Sequence, residues 1–320
     1  MRLRLTILAV ATLVLSARGA DLTWTGGAAD ANWTSAGNWG GTAPVAFDSL
    51  FFAGSTRLNN NNNTPAGGSF FNGITFNSGG GSFTLNGNSV GLSGGITNNS
   101  AASQTINLNI TLRNADRTVS TASGDITING NIGQSGTRGL TKAGAGTLTL
   151  SGNNSYTGGT ILSSGTLKLG ASNVMPNTGT LTFAGGIFDP NNQTDTLGLL
   201  SLSANSTLNL HADGNLSSLT FSSALWGGTG SLIINDWSGS QQVAGDDDRI
   251  FITAAPSSDF LNHVHFDIGG VLYPGVMSGN ELVPSLTPVP EPTEWAMIIF
   301  ATLGVLYKFV LPRFRKTSLA

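Results

Sequence analysis

Two short stretches carry residue types that could do chemistry. His263 and His265 stand two residues apart, so on a strand they would share one face and could hold a metal ion. The acidic run Asp246–Asp248 precedes Arg249, and polysaccharide lyases on β-helices combine acidic clusters with a basic proton acceptor. No third ligand accompanies the histidines, which we assign to a surface or a strand edge. We interpret the acidic run as a solvated turn that opens a strand.

Three further stretches have a binding and a structural interpretation. The segment Asp189–Asp195 alternates oxygen-bearing side chains as Ca²⁺ loops do, but it lacks their glycine and bidentate glutamate, which indicates a polar turn. Trp33 and Trp39 could stack on sugar rings, although capping of a hydrophobic core is the favoured interpretation. The run Asn59–Asn63 is of low complexity and predicts a flexible loop.

The sequence offers no catalytic set. Glycoside hydrolysis needs two carboxylates at a defined separation, and the 17 acidic residues give no pair that can be nominated. No G-x-S-x-G elbow with ordered partners occurs, and the Gly-rich strings lack the ending of a phosphate loop. Cysteine is absent, which excludes disulfides, thiolate metal sites and a cysteine nucleophile. We therefore expect no enzyme activity, no cofactor and no metal.

Composition favours a β protein with many turns. Of the 320 residues 44 are glycine, and only 10% are charged, while Leu, Ile, Thr and Phe are numerous enough to bury a core. This mixture suits short strands joined by Gly and Asn turns. The formal net charge of −3 provides no attraction for nucleic acid.

The elements that must position these residues are short strands with a period of two. Thr147–Leu150 and Thr166–Leu169 place leucines on one face and Thr or Lys on the other. Asn153–Ser155 and Gly158–Gly159, between them, are turn residues that tolerate positive φ. Such short strands predict a solenoid of stacked coils, each about 20 to 25 residues long. Similar units recur at Ile74–Phe76, Phe83–Leu85, Ile106–Leu108, Ile126–Ile128, Leu181–Phe183, Leu208–Leu210, Leu219–Phe221 and Leu232–Ile234.

The stretch Gly139–Gly170 resembles the autotransporter-associated β-strand repeat of large secreted bacterial proteins. The resemblance implies a right-handed parallel β-helix, so the predicted class is all-β. Exposed ends of such a stack would aggregate and need caps. We assign the N-terminal cap to residues 21–54, which contain Trp24, Trp33 and Trp39.

The N-terminus has the pattern of a secretory signal peptide. Arg2 and Arg4 form a positive region, Leu5–Leu15 is apolar, and small residues follow. The apolar stretch is too short to span a bilayer comfortably. Cleavage is expected after Gly19 or Ala20.

The C-terminus carries a second apolar run, Trp295–Leu311, of 17 residues. As a helix it would cover about 25 Å, marginal for a hydrocarbon core of about 30 Å. Arg313, Arg315 and Lys316 follow and would stay cytoplasmic by the positive-inside rule. The sequence therefore predicts a single transmembrane helix with the body of the protein outside.

Val289, Pro290, Glu291 and Pro292, followed by this helix and its basic end, resemble the PEP-CTERM sorting signal. That signal belongs to exported proteins of Gram-negative bacteria that make extracellular polysaccharide. The resemblance implies recognition by exosortase, a membrane-embedded transpeptidase-like enzyme thought to cut near the Pro-Glu-Pro motif. The chain would be anchored in the membrane transiently and then released or re-attached.

These features divide the chain into a signal peptide (1–20), a cap (21–54), a β-solenoid body (55–282), a Pro-rich linker (283–292) and a sorting helix with basic tail (293–316). They predict an exported, non-catalytic protein of the cell surface or the exopolysaccharide matrix. Its expected partners are exosortase and exopolysaccharide or surface glycans, with no nucleic acid. Two alternatives stay open: a β-helix enzyme that cleaves polysaccharide, and an adhesin whose membrane anchor is never removed.

Overall fold

The computed structural model describes residues 19–65, 69–211, 215–239, 241 and 248–289. In these ranges the protein is an all-β parallel β-solenoid, which confirms the predicted class. The helical segments there are a 3-10 helix, Ala36–Trp39, and the helix α1, Ser258–Leu261. The chain divides after Gly158 into two compact units, called unit 1 and unit 2. The predicted signal peptide and C-terminal helix lie outside the described residues, and the domain boundaries stay predictions.

Unit 1 winds its strands into three parallel ladders, named A, B and C, with strands numbered in chain order. Ladder A contains β1 (Asp21–Trp24), β2 (Ser49–Phe52), β5 (Gly73–Phe76), β8 (Ile96–Asn98), β11 (Arg117–Ser120) and β14 (Leu140–Ala143). Ladder B contains β3 (Asn59–Asn62), β6 (Thr84–Gly87), β9 (Gln104–Ile106), β12 (Ile126–Ile128) and β15 (Thr147–Leu150). Ladder C contains β4 (Phe70–Phe71), β7 (Val90–Leu92), β10 (Ile110–Leu112) and β13 (Ile132–Gln134).

The period-two pattern explains how each coil fills its interior. Leu148 and Leu150 of β15 are fully buried, while the alternating threonines are partly exposed. Parallel pairing keeps like residues in register, so Ile110 lies beside Ile132, one coil of 22 residues later. That length agrees with the coil predicted from the sequence. Each such buried aliphatic side chain stabilises the stack by about 1.5 to 3 kcal/mol.

The prediction of a flexible loop at Asn59–Asn63 is wrong, because Asn59–Asn62 forms strand β3. Asn60 and Asn62 point inward and are buried, and each is hydrogen-bonded there. Asn60 Oδ1 accepts a bond from Trp33 Nε1 at 2.8 Å. Buried amides are tolerated where such partners exist, so a low-complexity polar run takes the place of an apolar strand.

The first coil of unit 1 encloses an aromatic cluster. Trp24, Trp33 and Trp39 are buried at 0, 0 and 3% exposure. Trp39 meets Trp24 and Trp33 edge-on with ring centroids at 5.1 and 5.9 Å. Phe52 and Phe71 complete the cluster. These rings fill the end of the core, in agreement with the capping interpretation.

Unit 2 contains two parallel ladders followed by an antiparallel closure. β26 (Val271–Ser278) pairs with β25 (Val264–Ile268), the last strand of ladder B, and with β27 (Glu281–Pro284). β27 pairs in turn with β24 (Arg249–Ile252), the last strand of ladder A. These antiparallel strands cover edges that would otherwise expose unpaired backbone groups. Ladder A contains β16 (Thr160–Leu162), β18 (Leu181–Phe183), β20 (Thr194–Leu202), β22 (Ser218–Trp226) and β24 (Arg249–Ile252). Ladder B contains β17 (Thr166–Leu169), β19 (Ile187–Asp189), β21 (Ser206–Asn209), β23 (Leu232–Asn235) and β25 (Val264–Ile268).

Candidate functional site

The outward side chains of ladder B in unit 1 form an asparagine ladder. Asn86 Nδ2 donates to Asn59 Oδ1 at 2.6 Å, and Asn107 Nδ2 donates to Asn86 Oδ1 at 2.6 Å. Asn129 Nδ2 continues the series to Asn107 Oδ1 at 2.8 Å. Because each residue belongs to a successive coil, the amides link four coils on the outside of the sheet. Because the amides are hydrogen-bonded to one another, they form a rigid polar surface.

The outward side chains of ladder B in unit 2 form two parallel rows. Period two places the rows two residues apart on the same strands, with buried residues between them. The first row, called the aliphatic row, consists of Thr166, Ile187, Thr207, Ile233 and His265. The second row, called the polar row, consists of Lys168, Asp189, Asn209, Asn235 and Asp267.

Asp189 is the electrostatic centre of the polar row. Its Oδ2 lies 3.4 Å from Lys168 Nζ, and its Oδ1 lies 2.7 Å from His211 Nε2. Asn191 N–H donates to the same Oδ1 at 2.8 Å. The aspartate side chain is only 8% exposed, so these partners replace the water that it loses. The arrangement ties three successive coils together on their outer side.

The segment Asp189–Asp195 contains the predicted polar turn at 190–193, but Asp189 ends strand β19 and Asp195 lies in strand β20. Asn191 and Asn192 adopt positive φ of 51° and 59° at its tip. The two aspartates serve different contacts: Asp195 Oδ2 accepts bonds from the N–H groups of Val174 and Met175 at 2.9 and 3.0 Å. Burial raises the pKa of Asp195 to about 6, against the opposing effect of these hydrogen bonds.

The second oxygen of Asp195 has no hydrogen-bond partner among the described residues. Oδ1 is buried, and the residue as a whole is 0% exposed. An ionised carboxylate is therefore satisfied on one side only, which is the physical reason why burial outweighs the hydrogen bonds in setting its pKa. The site is titratable but closed to solvent.

Only Asp248 of the acidic run Asp246–Asp248 lies in the described residues, and it is buried rather than solvated. Its Oδ1 accepts from Ser217 N–H at 2.7 Å and its Oδ2 from Ser238 Oγ at 2.8 Å. The expectation of a solvated turn is wrong for this residue, because the carboxylate holds neighbouring segments to the start of β24. Arg249 is committed to Glu281, with Nη2 and Oε2 3.2 Å apart.

The two histidines occupy different environments. His263 lies on the ring of Trp226 with centroids 3.9 Å apart and an interplanar angle of 12°. His265 belongs to the aliphatic row, and burial, with a smaller effect of His263, lowers its pKa. Across the described parts of the chain, no three His, Cys, Asp or Glu side chains gather as a metal-binding group.

Lys142 is a buried charge that sequence reasoning missed. It points inward from β14, is 0% exposed, and its Nζ donates to the carbonyls of Ala143 and Gly144 at 3.0 and 2.8 Å. Burial lowers its pKa to about 8, opposed by the charge of Asp125. The signal was present in the sequence: in Leu140–Ala143 the period of two puts Leu140 and Lys142 on the same face.

The predicted sorting residues stay untested. Val289 is the last described residue, and its N–H donates to Leu272 O at 2.7 Å. The other residues of the motif and of the basic cluster, Pro290, Glu291, Pro292, Arg313, Arg315 and Lys316, lie outside the described residues. Neither helical segment within the described ranges has the length and apolarity needed to cross a membrane.

Comparison with known proteins supports the repeat. Residues 140–169 match the passenger-associated-transport-repeat family, which confirms the resemblance seen at Gly139–Gly170. Neither a curated protein nor a solved structure matches the chain. The match covers 30 of the 320 residues, so it identifies a repeat and not the whole chain. The repeat family and the β-solenoid fold together fit a surface-exposed, exported repeat protein.

Proposed function

We propose that this chain is a non-catalytic structural or adhesive protein of the bacterial cell surface or exopolysaccharide matrix. The observation that carries the proposal is the passenger-associated-transport repeat at residues 140–169 within a parallel β-solenoid. Passenger regions act outside the cell, and a solenoid presents long, rigid outer faces for contact. The asparagine ladder and the two rows of unit 2 are faces of this kind.

Export by the Sec route and sorting by exosortase are part of the proposal. They rest on the signal-peptide pattern, on the VPEP motif at 289–292 and on the basic cluster Arg313, Arg315 and Lys316. At the other end, Ala20 N–H donates to Asp48 Oδ1 at 2.7 Å and Ala20 O accepts from Ser49 N–H. Cleavage after Gly19 would retain these bonds and would place the new N-terminal ammonium beside the Asp48 carboxylate.

A structural role is favoured over catalysis because the described carboxylates that lie deep in the fold have structural partners. Asp48 and Asp248 accept backbone N–H groups, Asp189 pairs with Lys168 and is hydrogen-bonded to His211, and Glu281 pairs with Arg249. A carboxylate that is committed in this way is poorly placed to transfer protons to a sugar.

Mass spectrometry of the protein recovered from an exosortase-containing host tests sorting. We expect a mature chain that begins at Ala20 and ends near Pro290–Pro292, and an uncut C-terminus in a strain that lacks exosortase. A mature protein that keeps Trp295–Ala320 in the normal host would favour the permanently anchored adhesin instead.

Incubation of the same protein with polysaccharides, with and without Ca²⁺, tests the absence of catalysis. The proposal expects no release of reducing ends and no new unsaturated sugar products. Bond cleavage that disappears on changing Asp246 and Asp247 to Asn, with native β structure by circular dichroism, would establish the enzyme alternative and overturn the structural role.

A further inference from the structure

Unit 2 has a groove on its outer surface, over the first residues of three ladder B strands. It has a volume of about 450 Å³ and is lined by Gly186, Ile187, Asn205, Ser206, Thr207, Ser231 and Ile233. That volume falls within the range of about 300 to 1,000 Å³ found for ligand pockets. The floor consists of Ile187, Thr207 and Ile233 of the aliphatic row, and the turns that enter β19, β21 and β23 form one wall.

The floor of the groove is a partly exposed apolar strip interrupted by one hydroxyl. Ile187 pairs in register with Thr207, and Thr207 pairs with Ile233. Adjacent strands lie about 4.8 Å apart, so the strip rises across the coils in even steps. Ile187 is 38% exposed and Ile233 is half-buried, so the strip presents aliphatic surface that a ligand can reach.

The wall of the groove supplies hydroxyl and amide groups. Ser231 and Asn205 stand side by side, since Ser231 N–H donates to Asn205 Oδ1 at 2.9 Å. Gly186 in this wall is required by the backbone, since it has φ of +84° and a Cβ there would come within 2.5 Å of Gly165 O. Polar groups at one edge of an apolar strip form an amphipathic groove.

An aromatic pair lies beside the C-terminal end of the groove. Trp226 Nε1 donates to Gly230 O at 3.2 Å, next to Ser231 in the chain. His263, stacked on Trp226, accepts a bond through its carbonyl from Leu232 N–H, which stands between Ser231 and Ile233. These hydrogen bonds connect the aromatic pair to the segment Gly230–Leu232, which contributes Ser231 to the groove.

The lining of the groove carries no charge that would attract an ionic ligand. None of the seven lining residues is ionisable. In the adjacent polar row, Asp189 is paired with Lys168, and Asp267 accepts a hydrogen bond from Gly270 N–H. The lining instead offers the hydroxyl groups of Ser206, Thr207 and Ser231 and the amide of Asn205, which suit a neutral ligand that forms hydrogen bonds.

Backbone pairing excludes an extended peptide bound as an added strand. β19, β21 and β23 are each paired on both sides within ladder B, so their N–H and C=O groups are already used. Peptide recognition by strand addition needs a free sheet edge. What fits is a molecule with apolar ring faces and hydroxyl edges, whose repeat can follow the coils.

We propose that this groove binds an uncharged polysaccharide, with C–H faces of its sugar rings on Ile187 and Ile233 and its hydroxyls on Thr207, Asn205 and Ser231. This rests on the proposed function and supplies its ligand class. Binding at such a shallow groove depends on several weak contacts repeated along the polymer, so oligosaccharides bind more weakly than long chains.

The test uses the purified full chain and affinity gel electrophoresis in gels containing a neutral glucan, mannan or xylan, or the acidic polymer alginate. Retardation by at least one neutral polymer, unchanged by 0.5 M NaCl, is expected, because no ion pair contributes. The decisive variant is Thr207→Arg, which fills the middle of the groove and should weaken binding at least tenfold.

Thr182→Arg is the matched control, since Thr182 is an outward, half-buried strand residue of ladder A in the same unit. It should bind like the unmodified protein, and circular dichroism should show native β structure for both variants. Ile187→Ser adds no bulk and removes the apolar face, so it should also weaken binding. It is the second variant to be measured if Thr207→Arg fails to fold.

Three results would overturn the assignment: no retardation by any neutral polymer, retardation by alginate alone that salt abolishes, or equal binding by all variants. Failure of the groove is distinguishable from failure of the proposed function. A chain that is cut near Pro290–Pro292 and recovered at the cell surface, yet binds no neutral polysaccharide, would retain the function and lose only this ligand.

Discussion

Arg249 and Glu281 join the last parallel strand of unit 2 to the antiparallel strand that closes it. The Nη2 and Oε2 atoms lie 3.2 Å apart, the Glu281 side chain is 4% exposed, and the Arg249 guanidinium also lies over the Phe251 ring at 4.4 Å. Glu281 pairs with Phe251 across the antiparallel β24–β27 contact. One charged pair thus fastens the closing strand to the solenoid.

Removal of the arginine should therefore loosen the closure of unit 2. Arg249→Met leaves the buried Glu281 carboxylate without its partner, and we expect a loss of about 3 kcal/mol in the free energy of unfolding. Glu281→Gln keeps a hydrogen-bond acceptor for the guanidinium and should lose only about 1 kcal/mol. Urea titration followed by circular dichroism measures both. Equal losses in the two variants would contradict the role given to the buried charge.

The pKa of Asp195 predicts an acid-side pH dependence. A folded-state pKa of about 6 lies above the ordinary value of 3.8, so between these values the folded chain holds a proton that the unfolded chain releases. This contribution is fully present below pH 4 and is lost as the pH rises through 6, a fall of about 3 kcal/mol. Asp195→Asn cannot ionise and should remove that fall, while its oxygen still accepts from Val174 and Met175. Urea titrations at intervals from pH 4 to 8 check this, and an unchanged slope in the variant would refute it.

The pKa of Lys142 predicts that the free energy of unfolding changes with pH in the opposite direction at alkaline pH. Its folded pKa of about 8 lies below the ordinary 10.5, so the unfolded chain binds the extra proton in between. The free energy of unfolding should rise from pH 8 to pH 10.5 by about 3 kcal/mol. Lys142→Met is of similar length and uncharged, and should abolish this rise. Lys168→Met, at a partly exposed lysine, is the control and should leave it intact.

Two neighbouring asparagines of β3 should respond very differently to truncation. Asn60→Ala leaves Trp33 Nε1 without its buried acceptor, and we expect a loss of about 2 kcal/mol and altered tryptophan fluorescence. Asn61→Ala removes an exposed bond to Asn32 and should lose about 0.5 kcal/mol. Thermal and urea unfolding of the pair measure the difference. Similar losses for both would mean that β3 is not held in this register.

Truncation of an asparagine in the middle of the asparagine ladder should destabilise the protein more than truncation of one at its end. Asn107 donates to Asn86 and accepts from Asn129, whereas Asn59 only accepts from Asn86. We expect Asn107→Ala to lower the free energy of unfolding by about 1 kcal/mol and Asn59→Ala by about half of that. Urea midpoints of the two variants provide the measurement. No loss at Asn107 would show that water replaces the ladder bonds without penalty.

The alternation of apolar and polar residues with a period of two was enough to predict two strands of the matched repeat. In Thr147–Leu150 and Thr166–Leu169, alternating leucines have only one stable arrangement, because a slip by one residue would turn every leucine to solvent. The same reasoning found several further strands, such as β12 and β23, but missed all of ladder C, and it predicted a coil length that the register of Ile110 and Ile132 confirms. The repeat resemblance rested on the same local pattern.

The sequence by itself determined the all-β class, the stacked coils and the inward faces, because these follow from short-range alternation. Only the tertiary structure decided that Asn60 lies in a strand, that Asp248 is buried and that Ile187, Thr207 and Ile233 form one groove. These residues are far apart in the chain, and their contacts depend on the register between coils. That register is set by many weak packing contacts and hydrogen bonds between coils, and a local sequence pattern does not contain them.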